Sequence, residues 1–409
     1  MTIAKKIEVT LEKSSWIRKM FEEGARLKQK HGAQNVYDFS LGNPNIEPPE
    51  SFKTALKETV DSTGAMGHAY MPNTGYPNVR KAVADYLSTE QGIQVTENEV
   101  IMTCGAAGGL NAILKAITDP GDEIITPAPY FVEYNFYADN HGGILKPVST
   151  KPDFFLDIDA ISSAVNEKTK AIIINSPNNP TGQIYSQESL KELGELLEKM
   201  GEKYGRTIYL ISDEPYRKIV YDGHTVPGIF PCYRESIVVT SYSKDLSIPG
   251  ERIGFVAVNP GASFKKELLG GIALTNRILG FVNAPALMQR VIAAIQGECV
   301  DISAYAGKRK LLCDGLAECG YEFVTPPGAF YLFPKTPVED DVKFVQSLQE
   351  ELILGVPGSG FGCPGYFRIA FCVEDETIKN AMPGGLWRSI SKECYEGRGI
   401  DLPLEGAVR

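Results

Sequence analysis

Between about residue 97 and residue 260, seven short apolar runs alternate with helical patterns: EVIMTCG, DEIITPAP, GGILKPVS, KAIIINSP, TIYLISDEP, SIVVTSYS and RIGFVAVNP. Runs that are apolar on both faces suit strands of a sheet covered on both sides, which predicts an α/β fold with a mostly parallel seven-stranded sheet flanked by helices. The clearest helix follows Ser186, where Leu190, Leu193, Leu197, Met200 and Tyr204 recur at three- and four-residue steps and Lys and Glu fill the other face. The DPGDE turn at 119–123 separates a helix from a strand by Pro-Gly chemistry.

Outside this block the pattern changes to helical stretches, such as SSWIRKMFEEGARLKQKHG, mixed with short strands such as AFYLFP and YFRIAF. With 409 residues the chain exceeds what one hydrophobic core sustains. Two domains are expected: a large one over 48–294 and a smaller α+β one built from 1–47 and 295–409. The stretch 386–409 carries no motif.

Composition narrows the class of partner. Lys and Arg total 41 against 51 Asp and Glu, and the formal charge of -10 opposes phosphate backbones and anionic lipid. Nucleic acid is thereby disfavoured. The start of the chain, MTIAKKIEVTLEKSS, has no apolar h-region, and no apolar run is long enough to span a bilayer, so a cytoplasmic protein is expected. Eight cysteines stand at 104, 232, 299, 313, 319, 363, 372 and 394 with no CxxC pair and four histidines, which predicts reduced thiols and no metal site.

The segment SYSKDLSIPGERIGF, residues 241–255, places two hydroxyls before Lys244 and Arg252 eight residues after it. An amine, two hydroxyl donors and a guanidinium can therefore converge on one anion. A desolvated lysine loses its proton readily, and its free amine can attack an aldehyde to form a Schiff base. Three further segments fall at the ends of expected strands, where open α/β sheets place their ligands. They are Asp213-Glu214-Pro215-Tyr216, the run from Ser176 to Gly182 with Asn179 at its centre, and Gly105-Ala106-Ala107-Gly108-Gly109. Taken singly, each reads as a turn or a helix cap; all three point to one edge.

In these residues the sequence resembles the class I/II aminotransferases, pyridoxal-phosphate (PLP) enzymes of the aspartate aminotransferase fold, over roughly 35–385. The segment around Lys244 fits the family's S-x-[ST]-K-x-x-x-x-x-G-x-R-x-G pattern at every fixed position. The resemblance implies that Lys244 holds the cofactor and, once displaced, shuttles the substrate proton. It implies that Asp213 pairs with the pyridine nitrogen, while Tyr216 and Asn179 bond the ring's phenolic oxygen. The phosphate would rest on Gly105, Ala106 and Ala107 at a helix start, with Ser241, Ser243 and Arg252 as side-chain donors.

Tyr130 matches the aromatic that stacks on the cofactor ring, although a core tyrosine fits the same position. Tyr70 resembles the tyrosine that reaches the phosphate from a neighbouring subunit, which implies a homodimer with shared active sites. Arg368 falls on the arginine that grips the substrate α-carboxylate, with Gly42 and Asn179 assisting; read alone, Arg368 also fits a structural ion pair. Substrate held by both domains would draw them together.

The implied reaction moves an amino group between an α-amino acid of the aspartate, glutamate or alanine type and a 2-oxo acid. A PLP lyase or decarboxylase of a small amino acid is the alternative on the same fold. One departure concerns the distal carboxylate. Where some bacterial aspartate aminotransferases carry a lysine, this chain has Ala107; Arg277 is a candidate replacement cation, and a dimer-interface ion pair explains it as well. A nicotinamide dehydrogenase is disfavoured because no G-x-G-x-x-G follows the first strand.

Overall fold

The computed structural model describes residues 2–12 and 16–382. The motif-free stretch 386–409 and Cys394 lie outside the described residues. The chain divides into two compact units: the described residues of Met1–Gly42, Ala306–Thr325 and Leu332–Arg409, and a larger unit of Asn43–Tyr305 and Pro326–Tyr331.

Each of the seven apolar runs contains a strand of the larger unit. In chain order these are β1 (Val100–Thr103), β2 (Glu123–Ala128), β3 (Ile144–Ser149), β4 (Thr169–Asn175), β5 (Tyr209–Asp213), β6 (Ser236–Ser241) and β7 (Gly254–Val258). They form one sheet in the spatial order β1-β7-β6-β5-β4-β2-β3. β7 pairs antiparallel with both neighbours, and the remaining pairs are parallel.

The period-two alternation of side chains sorts the strand residues between two cores. Ile172, Ile174, Leu210, Val238 and Ala257 join one, against Leu190, Leu193 and Leu197. Ala171, Ile173, Ile211, Ile237, Val239 and Val256 join the other, against Leu110, Ile113 and Leu114. Each fully buried leucine contributes about 2 kcal/mol. β3, at one edge of the sheet, departs from the two-sided pattern and keeps most of its residues partly exposed, whereas β1 at the other edge is buried throughout.

The helices begin and end as their sequences dictate. Ser186 caps Gln187–Tyr204 by accepting from the Ser189 amide, and Gly205 closes it in the left-handed region at φ 63°. The Gly105–Ile117 helix lies against β6 and β7 because Gly109 carries no Cβ. One placed there would come within 2.8 Å of Val239 and Val256. Among the described residues no helix is long and apolar enough to cross a membrane.

In the smaller unit, Phe367–Ala370 pairs antiparallel with Val356–Pro357, and Tyr37–Asp38 pairs parallel with Ile353–Leu354. Its interior is aromatic, with Phe39, Phe333, Phe344, Phe361, Phe367 and Phe371 all buried.

Candidate active site

Strand register brings the chemistry-bearing segments of the larger unit to one edge. Asn175 aligns with Asp213, and Asp213 with Val239; Ser241 aligns with Gly254, and Gly254 with Thr103. β1, β4, β5 and β6 therefore end where β7 begins. The reversal of β7 places Arg252, two residues before it, beside segments that follow strand ends.

β1 runs into the turn at Gly105, which adopts φ +69° and opens the Gly105–Ile117 helix. Unpaired amides at a helix start form an anion site, here flanked by the small side chains of Ala106 and Ala107. A Cβ at Gly105 would lie 3.2 Å from Nη2 of Arg252, so the guanidinium already rests over the turn. Arg252 itself has φ +51° and donates from Nη1 to the Pro249 carbonyl at 3.0 Å. Gly254 touches the same turn: a Cβ there would meet the Thr240 carbonyl oxygen at 2.3 Å and Cα of Gly105 at 3.0 Å. Ser241, the register partner of Gly254, and Ser243 are both buried.

Asp213 is the electrostatic centre of the edge. Its Oδ2 accepts from the Tyr134 hydroxyl at 2.7 Å, and its Oδ1 is buried with no hydrogen-bond partner among the described residues. Burial pushes this carboxyl up to about 7; the Tyr134 bond pulls it back, and the neighbouring Glu214 charge raises it further. Asn175 steadies the segment by donating to the Asp213 carbonyl at 2.8 Å and accepting the Asn179 amide at 2.7 Å. Asn179 is buried.

Lys244 projects over the ring of Phe330, with Nζ 5.6 Å from its centroid. Tyr216 packs edge-on against both Phe330 and Tyr331 and shares a 2.8 Å hydrogen bond between its hydroxyl and that of Tyr331. Tyr130, just beyond β2, is buried, and its hydroxyl accepts from Nδ2 of Asn135 at 3.0 Å.

The residues expected to meet substrate divide differently. Arg368 and Gly42 belong to the smaller unit. Arg368 is 2% exposed, with its guanidinium 4.9 Å from the Phe361 ring and Nη2 donating to the Ser40 carbonyl at 2.5 Å. Tyr70 is 90% exposed, and Arg277 is exposed in the last turn of the Lys265–Ile278 helix.

Three contributors escaped the sequence reading. Tyr134 stands in the same PAPYFVEY run as Tyr130, but nothing in its spacing marks it as the partner of Asp213. Phe330 and Tyr331 sit in AFYLFP, which reads as a strand; only Tyr331–Leu332 is one. The nearest clue is Gly328, where a Cβ would fall 2.7 Å from Pro177, so that the aromatic pair follows a close backbone approach.

Residues 33–383 match the family described as aminotransferase class I and II. The chain belongs to this family. Among class I and II aminotransferase relatives, the probable aspartate aminotransferase of Methanocaldococcus jannaschii is 30% identical over 368 residues, covering 88% of this chain and 93% of the relative. The aspartate/prephenate aminotransferase of Thermus thermophilus is 32% identical over 371 residues, covering 87% and 91%. An amino transferase of Eubacterium rectale superposes with a TM-score of 0.92 at 41% identity, covering 98% of this chain and 100% of that one. Aminotransferases of this family generally depend on PLP, and two observations show that the residues fit it. Oδ1 of Asp213 is a buried acceptor without a donor among the described residues, as a pyridine N–H would require. Gly105 and Gly254 leave the anion turn clear of side chains under a guanidinium.

Proposed function

We propose that this transaminase uses PLP held by Lys244 and takes aspartate, glutamate or alanine as amino donor with a 2-oxo acid as acceptor. The observation that carries the reading is the Asp213 carboxylate, buried and open at Oδ1 on the same sheet edge as the Lys244 segment. The names of the relatives support transfer of an amino group rather than the lyase alternative.

Bound PLP supplies an electron sink for the pair left when a substrate Cα–H bond ionises. Lys244 Nζ would tether the cofactor and, once displaced by the substrate amine, would carry the substrate Cα proton. Asp213 Oδ1 would accept from the ring N–H, and its negative charge would keep that nitrogen protonated. Tyr216 and Asn179 donate to the phenolic oxygen, with Tyr331 fixing the Tyr216 hydroxyl. The Gly105, Ala106 and Ala107 turn, Ser241, Ser243 and Arg252 would hold the phosphate, and the ring of Tyr130 would supply a face for the pyridine. Arg368 and Gly42, with Asn179, bind the substrate α-carboxylate.

The homodimer enters through Tyr70, whose exposure suits a side chain that completes a neighbouring copy's phosphate site. The cytoplasm is the proposed location. Incubation with single amino acids tests the reading: stoichiometric conversion of bound PLP to pyridoxamine phosphate is expected. Release of ammonia or CO2 without that conversion would replace transfer by elimination or decarboxylation. A screen of donors against oxaloacetate, 2-oxoglutarate and pyruvate then names the pair.

A further inference from the structure

We infer that Asp38 is a positioning residue for Arg368, acting through the Ser40 carbonyl and held in turn by Lys28. The inference rests on the proposed role of Arg368 as the α-carboxylate grip and extends it to residues that no family motif marks.

The Ser40 carbonyl accepts Nη2 of Arg368, so its direction decides where one edge of the guanidinium points. Ser40 is fully buried, and its amide and hydroxyl both donate to Asp38 Oδ1, at 3.1 and 2.6 Å. This Asx turn fixes the amide and the side chain of Ser40, and with them the direction in which its carbonyl carbon leaves Cα. The other oxygen, Oδ2, accepts Lys28 Nζ at 2.7 Å from the last turn of the Trp16–His31 helix. A Cβ at Gly24 would stand 3.0 Å from Oδ2, so that helix also confines the carboxylate sterically.

The backbone just before Ser40 is pinned. Tyr37 and Asp38 pair with Ile353 and Leu354, the Phe39 amide donates to the Leu354 carbonyl at 2.9 Å, and the Phe39 carbonyl accepts from Ala370 at 2.9 Å. The sheet thus holds the segment as far as Phe39, and Asp38 extends that hold to Ser40, whose carbonyl carries the contact to Arg368. An arginine whose outer edge is already engaged by a rigid acceptor loses less rotamer entropy when a carboxylate arrives. The Lys28 charge neutralises Asp38, so the turn is built from an anion without offering Arg368 a competing one.

The test measures KM and kcat for L-aspartate, L-glutamate and L-alanine in the PLP-loaded enzyme. Because the α-carboxylate is common to the three, Asp38→Ala is expected to raise every KM about tenfold with kcat changed less than about threefold. The Kd for PLP, measured separately by fluorescence quenching of the apoenzyme, stays unchanged. Asp38→Asn keeps the acceptor for Ser40 and recovers most of the loss, which a merely structural role for the charge would not produce. A KM within about twofold of native for Asp38→Ala, a parallel loss of PLP affinity, or failure of Asp38→Asn to recover would each overturn the inference. If Asp38→Ala does not fold, Ser40→Ala is read in its place, with a KM rise of about threefold expected and an unchanged KM decisive against. Arg368→Gln separates the two levels. Should it leave KM unaltered, the carboxylate grip itself is wrong; should it raise KM while Asp38→Ala does not, only the positioning role falls.

Discussion

The hydroxyl of Tyr134 donates to Oδ2 of Asp213 at 2.7 Å inside a buried site, while Oδ1 of the same carboxylate is left open. The pair is a half-satisfied acceptor, and its energetics follow from burial. The Asp213 carboxyl, at about 7, lies above its unfolded value of 3.8, so the folded apoprotein binds the proton more tightly than the unfolded chain. The stability this provides is complete below the unfolded pKa and disappears as pH rises through the folded one. Asp213→Asn should remove that slope between about pH 4 and 7, a difference of order 3 kcal/mol by urea unfolding of the apoprotein at the two pH values. Identical slopes in both proteins would show that Asp213 is not held protonated.

Lys244→Ala is expected to lose turnover by about a millionfold while the phosphate turn still retains PLP. Borohydride treatment followed by peptide mapping checks it: label appears at residue 244 in the native protein and nowhere in the variant.

Gly254→Ala tests the contact between β7 and the anion turn. The added carbon would meet the Thr240 carbonyl oxygen at 2.3 Å, and backbone cannot swing aside as a side-chain end can. A loss of about 2 kcal/mol or more in unfolding free energy is expected, together with weaker PLP binding measured by equilibrium dialysis.

Arg217 and Glu214 form a buried pair at 2.9 Å, and Arg217 also donates to the Pro227, Glu90 and Val226 carbonyls. Burial pushes the Glu214 carboxyl up, and the Arg217 charge pulls it back. Arg217→Met strands that carboxylate next to Asp213, with an expected cost of about 3–5 kcal/mol by chemical denaturation. The double variant Arg217→Met/Glu214→Gln should recover part of this, since Glu214 is then neutral while Glu90, 3.6 Å from Arg217 Nε in the native protein, still loses its partner.

The sheet was legible because burial on both faces writes seven uninterrupted apolar runs, and Asp213, Asn179 and Lys244 were legible because each follows such a run. The exposure of β3 was not: GGILKPVS reads like its neighbours, and edge position alone does not decide it, since β1 at the other edge is buried throughout. Tyr134 escaped because its role comes from a contact 79 positions away that no local period encodes. Phe330 and Tyr331 escaped because aromatics in a short apolar run look like core. Arg368 was read from a motif, but the Asp38 turn that supports its Ser40 acceptor is an interaction of polar side chains with backbone, which leaves no periodic trace.

The excursion between β6 and β7 leaves the sheet at Ser241 and re-enters it at Gly254, opposite its own starting point. Both anchors are locked into ladders, so the intervening loop behaves like a measured tether carrying an amine and a guanidinium at set marks. A one-residue insertion beyond Lys244 would leave the ladders intact yet slide Arg252 off the glycine turn, giving a well-folded protein whose helix start has lost its guanidinium.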